Sequence, residues 1–237
     1  MTERQAVLTV NNLSAWWGGA QALFDVSLTV GAGELVVLKG LNGAGKSTLL
    51  QAIMAVGPTV HGRISYSAVA AEHTTAQVLH VGDSAMPSHQ RARLGLGYVP
   101  EDRRLFAALS VRENLRIACT ASAAEAAQRE AKALDLFPAL KTMLDRQAAQ
   151  MSGGEQQMLS IARTLMTNPS LLLLDEPCEG IAPVLVEQLA SALLALKTQG
   201  MPMLVAEQNH ILANHADKVI TLTAGAVQTA SSDIALS

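Results

Sequence analysis

Charge and aromatic rings are what this sequence has least of. Of its 237 residues only 16% are charged and 3% aromatic, against 49% hydrophobic. Globular domains average about 25% charged residues, so part of the surface is expected to lie under a partner. The balance of 17 Lys+Arg against 20 Asp+Glu, net −3, supplies no basic field and excludes a nucleic-acid partner. There are two cysteines, Cys119 and Cys178, far apart and at no metal-binding spacing. That excludes a disulfide framework and a zinc site, and both thiols are expected reduced, as in a cytosolic protein. Long apolar runs are also missing. A spanning helix needs about 18 consecutive apolar residues, and the charge-free segment Ser47 to Gly62 is interrupted by Gly57, Pro58 and His61. Met1 to Val10 carries Glu3 and Arg4, so no signal peptide is expected there. Work at a membrane would run through docking on other subunits.

The elements that are present alternate. Val7 to Val10, Val26 to Val30 and Glu34 to Lys39 read as strands. A helix through Leu49, Leu50, Ile53 and Met54 follows, ending near Gly57-Pro58. Weaker strands are expected at Arg63 to Tyr66, Gln77 to Val81 and Gly95 to Val99, with a helix at Pro87 to Leu94 between the last two. Val111 to Leu144 is helical and alanine-rich, a candidate lobe. Met158, Ile161, Ala162, Leu165 and Met166 fall at helical spacing. Leu171 to Leu174 and Met203 to Ala206 fit strands buried on both faces of a parallel sheet, with a helix at Val184 to Leu196 between them. Lys218 to Leu222 and Ala226 to Thr229 suggest a hairpin. Alternation of this kind argues for an α/β fold.

Three segments carry chemistry. Gly40-Leu41-Asn42-Gly43-Ala44-Gly45-Lys46-Ser47 fits G-x-x-x-x-G-K-[ST] between a strand and a helix. Its glycines let backbone N–H groups turn inward around phosphate oxygens, and the helix aims its positive end at the same anion. Lys46 suits the β- and γ-phosphates, Ser47 a Mg²⁺ ion and Thr48 the α-phosphate. This motif alone leaves GTPases, kinases and helicases open. The apolar strand at Leu171 ends in Asp175 and Glu176, at the strand end where α/β sheets gather ligands. Asp175 is expected beside Ser47 on Mg²⁺, and Glu176 as the base that polarises the attacking water. Ser152-Gly153-Gly154-Glu155-Gln156-Gln157 opens a helix. It reads equally as a capping box and as an anion site at a helix N-terminus.

In these three segments and their order the chain resembles the ABC (ATP-binding-cassette) ATPases, whose signature is Ser-Gly-Gly-x-Gln. The resemblance implies a P-loop NTPase (RecA-like) core with an N-terminal antiparallel β subdomain and an inserted α-helical subdomain. On this sequence the core would be 1–101 and 153–237, and the helical lobe 102–152. Two such domains would pair head to tail around ATP, with Ser152, Gly153, Gly154 and Glu155 acting on the partner's nucleotide. An aromatic stacks on adenine in this family; Trp17 fits, with Trp16 as the alternative. Glu101 stands where the family has a glutamine that contacts Mg²⁺ and the membrane subunit, and Gln208 where it has a switch histidine. Gly180-Ile181-Ala182 lacks the family's aspartate. Gln208 is expected to hold the γ-phosphate in histidine's place.

Val99-Pro100-Glu101-Asp102-Arg103-Arg104, Ser152 to Met158, Gly180-Ile181-Ala182-Pro183 and Glu207-Gln208-Asn209 resemble the second ATPase subunit of branched-chain (hydrophobic) amino-acid importers. A departure is an apparent insertion within 66–86, which leaves the strand pairing there open. The resemblance implies an ATPase on the cytoplasmic face of the inner membrane, peripheral to it. Its partners would be a sibling ATPase (or a second copy in isolation), two membrane-spanning permease subunits and, indirectly, a solute-binding protein. Urea, amide and other small organic-acid importers share much of this pattern. The missing histidine and aspartate also admit a non-hydrolysing regulatory partner.

Overall fold

The computed structural model describes residues 5–67, 77–81 and 84–228. Three strands form its centre: β3 (Leu35–Lys39), β8 (Leu171–Asp175) and β9 (Met203–Ala206). They show no polar–apolar alternation because both faces are covered. Leu35 and Val37 join one hydrophobic core with Leu172, Leu174, Met203 and Val205, while Val36 and Leu38 join another with Leu171, Leu173, Leu204 and Ala206. Full burial of such a side chain stabilises by about 1.5–3 kcal/mol, so a polar residue at either phase would be costly.

These strands lie in a six-stranded sheet of order β11-β10-β3-β9-β8-β7, with β7 at Leu96–Val99, β10 at Lys218–Thr223 and β11 at Ala226–Val227. It is parallel except for the β10–β11 hairpin. A second sheet is antiparallel, of order β2-β1-β4-β5-β6: β1 is Ala6–Trp17, β2 Ala20–Gly31, β4 Thr59–Tyr66, β5 Gln77–Val81 and β6 Ser84–Ala85. β1 and β2 run well beyond the expected strands, carried through polar stretches by several register shifts. The pairing left open by the insertion is antiparallel, β5 against β4. Residues 68–76 and 82–83, where most of the insertion falls, lie outside the described residues, as does Thr229 of the expected hairpin.

Helix α1 (Lys46–Met54) packs between the two sheets. Beside it α2 (Ser88–Arg93) buries Arg91 completely. The Arg91 guanidinium donates to the carbonyls of Met86, Ala52, Ile53 and Leu79, tying the end of α1 to the antiparallel sheet. Its burial lowers its pKa to about 10, leaving it a cation at neutral pH.

The alanine-rich stretch is not one helix. It forms α3 (Val111–Ile117) and α4 (Ala123–Leu136), each opened by a Ser–Glu capping box, followed by 3₁₀ turns at Pro138–Met143 and Ala148–Gln150. The break follows from Ser122, which caps α4, and the end from Pro138, which cannot continue a helix. The stripe still packs: Val111, Leu115, Ala133, Leu134 and Phe137 join the first core, and Glu130 of α4, buried, pairs with Arg112 at 3.2 Å and Arg116 at 3.0 Å on α3. Next come α5 (Gly153–Leu165) and α6 (Pro183–Thr198). A short helix the sequence pattern did not suggest, α7 (His210–Asn214), is started by the Asn209 side chain accepting from Ile211 N.

Candidate functional site

β3 ends at Lys39 and the chain turns through 40–45 into α1. Gly45 sits at φ 102°, where a Cβ would press on the Leu23 side chain at 2.7 Å, so the turn demands glycine. No side chain caps the start of α1. Its first N–H groups are therefore left for an outside anion. The Lys46 ammonium, nearly buried, is held inside the loop by the carbonyls of Gly40 at 2.9 Å and Leu41 at 3.3 Å. It also pairs with Glu176 Oε1 at 3.0 Å.

The sheet brings the acids to the same place. Ser47 Oγ donates to Asp175 Oδ1 at 2.8 Å, and the Tyr98 hydroxyl donates to Asp175 Oδ2 at 3.3 Å. Burial pushes the Asp175 carboxyl up to about 6; the Ser47 and Tyr98 bonds oppose this, while the Glu101 and Glu176 charges add to it. Burial, with help from Asp175, pushes the Tyr98 phenol up as well. Glu176 stands at φ 47°, left-handed for a non-glycine residue. Such strain persists only where surroundings fix it; here its N–H is bound to Ala206 O at 2.9 Å and its carboxylate to Lys46. Gln208 Nε2 bridges Asn42 Oδ1 of the glycine loop and Glu176 Oε1, the latter at 3.4 Å.

These groups surround a cleft of about 550 Å³ lined by Asn42, Gly43, Gly45, Lys46, Ser47, Thr48, Glu101, Glu176 and Glu179, with Phe24 on its wall. Glu179 and Phe24 escaped the sequence reading. Burial and the neighbouring acids, Glu176 before Glu101 and Glu207, raise the Glu179 carboxyl. Among the described residues no group of three or more His, Cys, Asp or Glu can hold a metal by itself. Asp175 and Ser47 nevertheless place two hard oxygen donors together. One carboxylate and one hydroxyl fit Mg²⁺, which is commonly bound through one or two carboxylates plus substrate phosphates.

Glu207, which the sequence offered only as part of Glu207-Gln208-Asn209, gains a role from the structure. Buried, it accepts from Cys178 N at 3.0 Å, Gln208 N at 2.8 Å and Asn209 N at 2.9 Å. One carboxylate thus fastens the segment after Glu176 to the segment carrying Gln208. It also raises the Cys178 thiol pKa, which burial already drives up, so Cys178 stays a thiol.

Trp17 flanks the cleft without lining it. Its indole N–H reaches Thr48 Oγ1 at 3.3 Å and its ring covers Gly57. Trp16 packs edge-on against His61, centroids 5.1 Å apart. Ser152 and Glu155 do form a capping box on α5. In the boxes of α3 and α4 the serine hydroxyl also donates to the glutamate, at 2.7 and 2.8 Å. At Ser152 the bonds are the two backbone ones, which leaves its O–H to point elsewhere. Gly154 lies so close to Leu185 that a Cβ would collide.

Comparisons with known proteins agree with this layout. A family model described as ABC transporter matches residues 23–179. The chain is 39% identical over 216 residues to the high-affinity branched-chain amino acid transport ATP-binding protein BraG of Pseudomonas aeruginosa, covering 90% of this chain and 85% of that one. It is 35% identical over 208 residues to the lipopolysaccharide export system ATP-binding protein LptB of Escherichia coli, covering 86% and 81%. Among solved structures, the ADP conformation of MJ1267, an ATP-binding cassette of an ABC transporter, superposes with TM-score 0.74 at 25% identity, over 95% of this chain and 90% of that one.

Proposed function

Because this chain belongs to the ABC transporter ATP-binding family, whose members couple ATP hydrolysis to transport, we propose that it energises an importer of branched-chain amino acids. The higher identity to BraG than to LptB supports that cargo. The observation that carries the ATPase chemistry is the meeting of Lys46, Ser47, Asp175 and Glu176 beyond the carboxyl ends of β3 and β8.

In this reading the N–H groups of 40–48 and the Lys46 ammonium bind the phosphates. Ser47 and Asp175, with Glu101, would hold Mg²⁺, which would supply neutralisation of the phosphate charge. Glu176 orients the attacking water once Lys46 has moved to the phosphate. Gln208 steadies Glu176 and the γ-phosphate side of the loop without carrying a titratable charge. Trp17 offers adenine a ring at the rim. Ser152, Gly153, Gly154 and Glu155 close on the nucleotide of a second ATPase, sibling or identical, packed head to tail.

The lobe 102–152, inserted between core segments 1–101 and 153–237, passes closure to two membrane-spanning subunits. A groove of about 360 Å³ at Tyr98, Pro100, Arg104 and Arg163 suits a segment of such a subunit. No helix among the described residues is long and apolar enough to cross a membrane, in keeping with a peripheral place on the inner membrane's cytoplasmic face. The test is reconstitution with both membrane subunits and the solute-binding protein in vesicles. Leucine, isoleucine or valine uptake with matching phosphate release is expected. Uptake of urea or an amide alone would reassign the cargo, and ATP-driven lipid extraction would favour the exporter relatives. Binding of ATP with no phosphate release would leave a regulatory partner.

A further inference from the structure

Two consecutive residues outside the cleft, Arg103 and Arg104, adopt left-handed backbone at φ 60° and 48°. Non-glycine residues hold that shape only where surroundings over-determine it, and here the surroundings are one face of α5. The Arg103 guanidinium donates to Gln157 Oε1 at 3.0 Å and Gln156 Oε1 at 3.3 Å. The Arg103 carbonyl accepts from Ser160 Oγ at 2.9 Å and Arg163 at 3.0 Å, and the Arg104 carbonyl accepts from Arg163 at 2.7 Å. Gln157 is buried, and its Nε2 has no partner among the described residues. Its amide is turned to present oxygen to Arg103 even though its own donor goes unmet, an orientation the guanidinium dictates because two donors cannot face each other. The same guanidinium lies 3.5 Å from where a side chain on Gly153 would begin. Two residues before Arg103, Glu101 lines the cleft.

We propose that Arg103 is a positioning residue that joins Glu101 to the first turns of α5, so that the nucleotide cleft and the Ser152–Gly154 edge move as one body. This rests on the ATPase reading above. In that reading the edge serves the partner's nucleotide, so Arg103 links the two ATP sites of a dimer. It touches neither nucleotide. Its bidentate grip on two amide oxygens is one that lysine, a point donor, reproduces only in part.

The experiment is hydrogen exchange on the full chain with and without MgADP, beside nucleotide titration of the same samples. In the parent chain, bound nucleotide is expected to slow exchange of the amides at 153–157. Arg103→Ala should shrink that response at least fivefold while the nucleotide dissociation constant stays within about twofold. Arg103→Lys should retain a part. If Arg103→Ala melts the chain, Gln157→Met, which keeps volume and removes the acceptor, should show the same loss. A response that persists in these variants, or none in the parent chain with nucleotide bound, overturns the proposal. Absence of nucleotide binding in the parent chain would instead bring down the ATPase reading on which it stands.

Discussion

Glu176→Gln should separate binding from turnover, and the structure says in which direction each moves. Lys46 is shared between Glu176 at 3.0 Å and the carbonyls of Gly40 and Leu41 at 2.9 and 3.3 Å. A triphosphate recruits Lys46 by taking it from Glu176. Glutamine keeps the shape but replaces an ion pair by a hydrogen bond from the Lys46 ammonium to a neutral amide oxygen. Hydrogen bonds involving charged groups span about 1.5–3 kcal/mol; moving from the top of that range toward its foot leaves about 1 kcal/mol that no longer opposes binding. At 1.4 kcal/mol per tenfold, the nucleotide dissociation constant should fall about fivefold. Losing a negative charge near the γ-phosphate acts the same way. Turnover moves oppositely, since a positioned general base contributes typically 10²–10⁴-fold. The assay is titration of a fluorescent ATP analogue in EDTA, beside phosphate release with magnesium. The nucleotide-free variant should also melt lower, because a nearly buried cation has lost its counter-charge, and nucleotide should restore it. Equal or weaker binding in the variant would refute the competition between carboxylate and phosphate. Turnover at the parent rate would refute the role of Glu176.

Three further outcomes follow. In metal-free buffer the Asp175 carboxyl is raised by burial from its ordinary 3.8 to about 6. For an acid raised in the folded state, the stability it contributes is full below the unfolded value and lost as pH rises through about 6. The nucleotide-free chain should therefore be more stable at pH 5.5 than at pH 8, and Asp175→Asn should flatten that slope. The whole shift corresponds to about 3 kcal/mol, but most of it is already lost below pH 5.5, so urea melts at the two pH values should differ by about 0.8 kcal/mol. Arg91→Met should cost about 2–6 kcal/mol, because the Ala52 and Leu79 carbonyls keep the N–H groups of Ala55 and Met86 while the Met86 and Ile53 carbonyls lose their Arg91 donor at about 1–3 kcal/mol each; ATP affinity of the folded fraction should change little. Trp17→Ala should weaken ATP more than tripolyphosphate if Trp17 is the adenine platform. The same difference appearing in Phe24→Ala instead would move that role to the aromatic on the cleft wall.

What was legible in the sequence and what was not divide along a physical line. β3, β8 and β9 could be read because burial on both faces forbids polar residues at either phase, and that leaves an apolar run. The glycine loop and the acids after Leu174 could be read because phosphate and metal chemistry require given residue types at given spacing. The alanine-rich stretch was legible as helical, but its division into α3 and α4 was not, because the break rests on the Ser122 cap and not on a change in apolar spacing. The roles of Arg91, Arg103 and Glu207 were hidden for a different reason, although the latter two stand in segments that carry the importer resemblance. Arg91 acts on main-chain carbonyls as remote as Ala52, Glu207 on the N–H groups of Cys178 and of its own two successors, and Arg103 on two amide oxygens of α5. Every residue has those main-chain groups, so nothing in the partner's identity marks the contact. Groups proposed to touch the phosphate are therefore constrained in type and leave a local pattern. Groups that hold those first ones in place are constrained only in position, and positions become visible once the chain is folded.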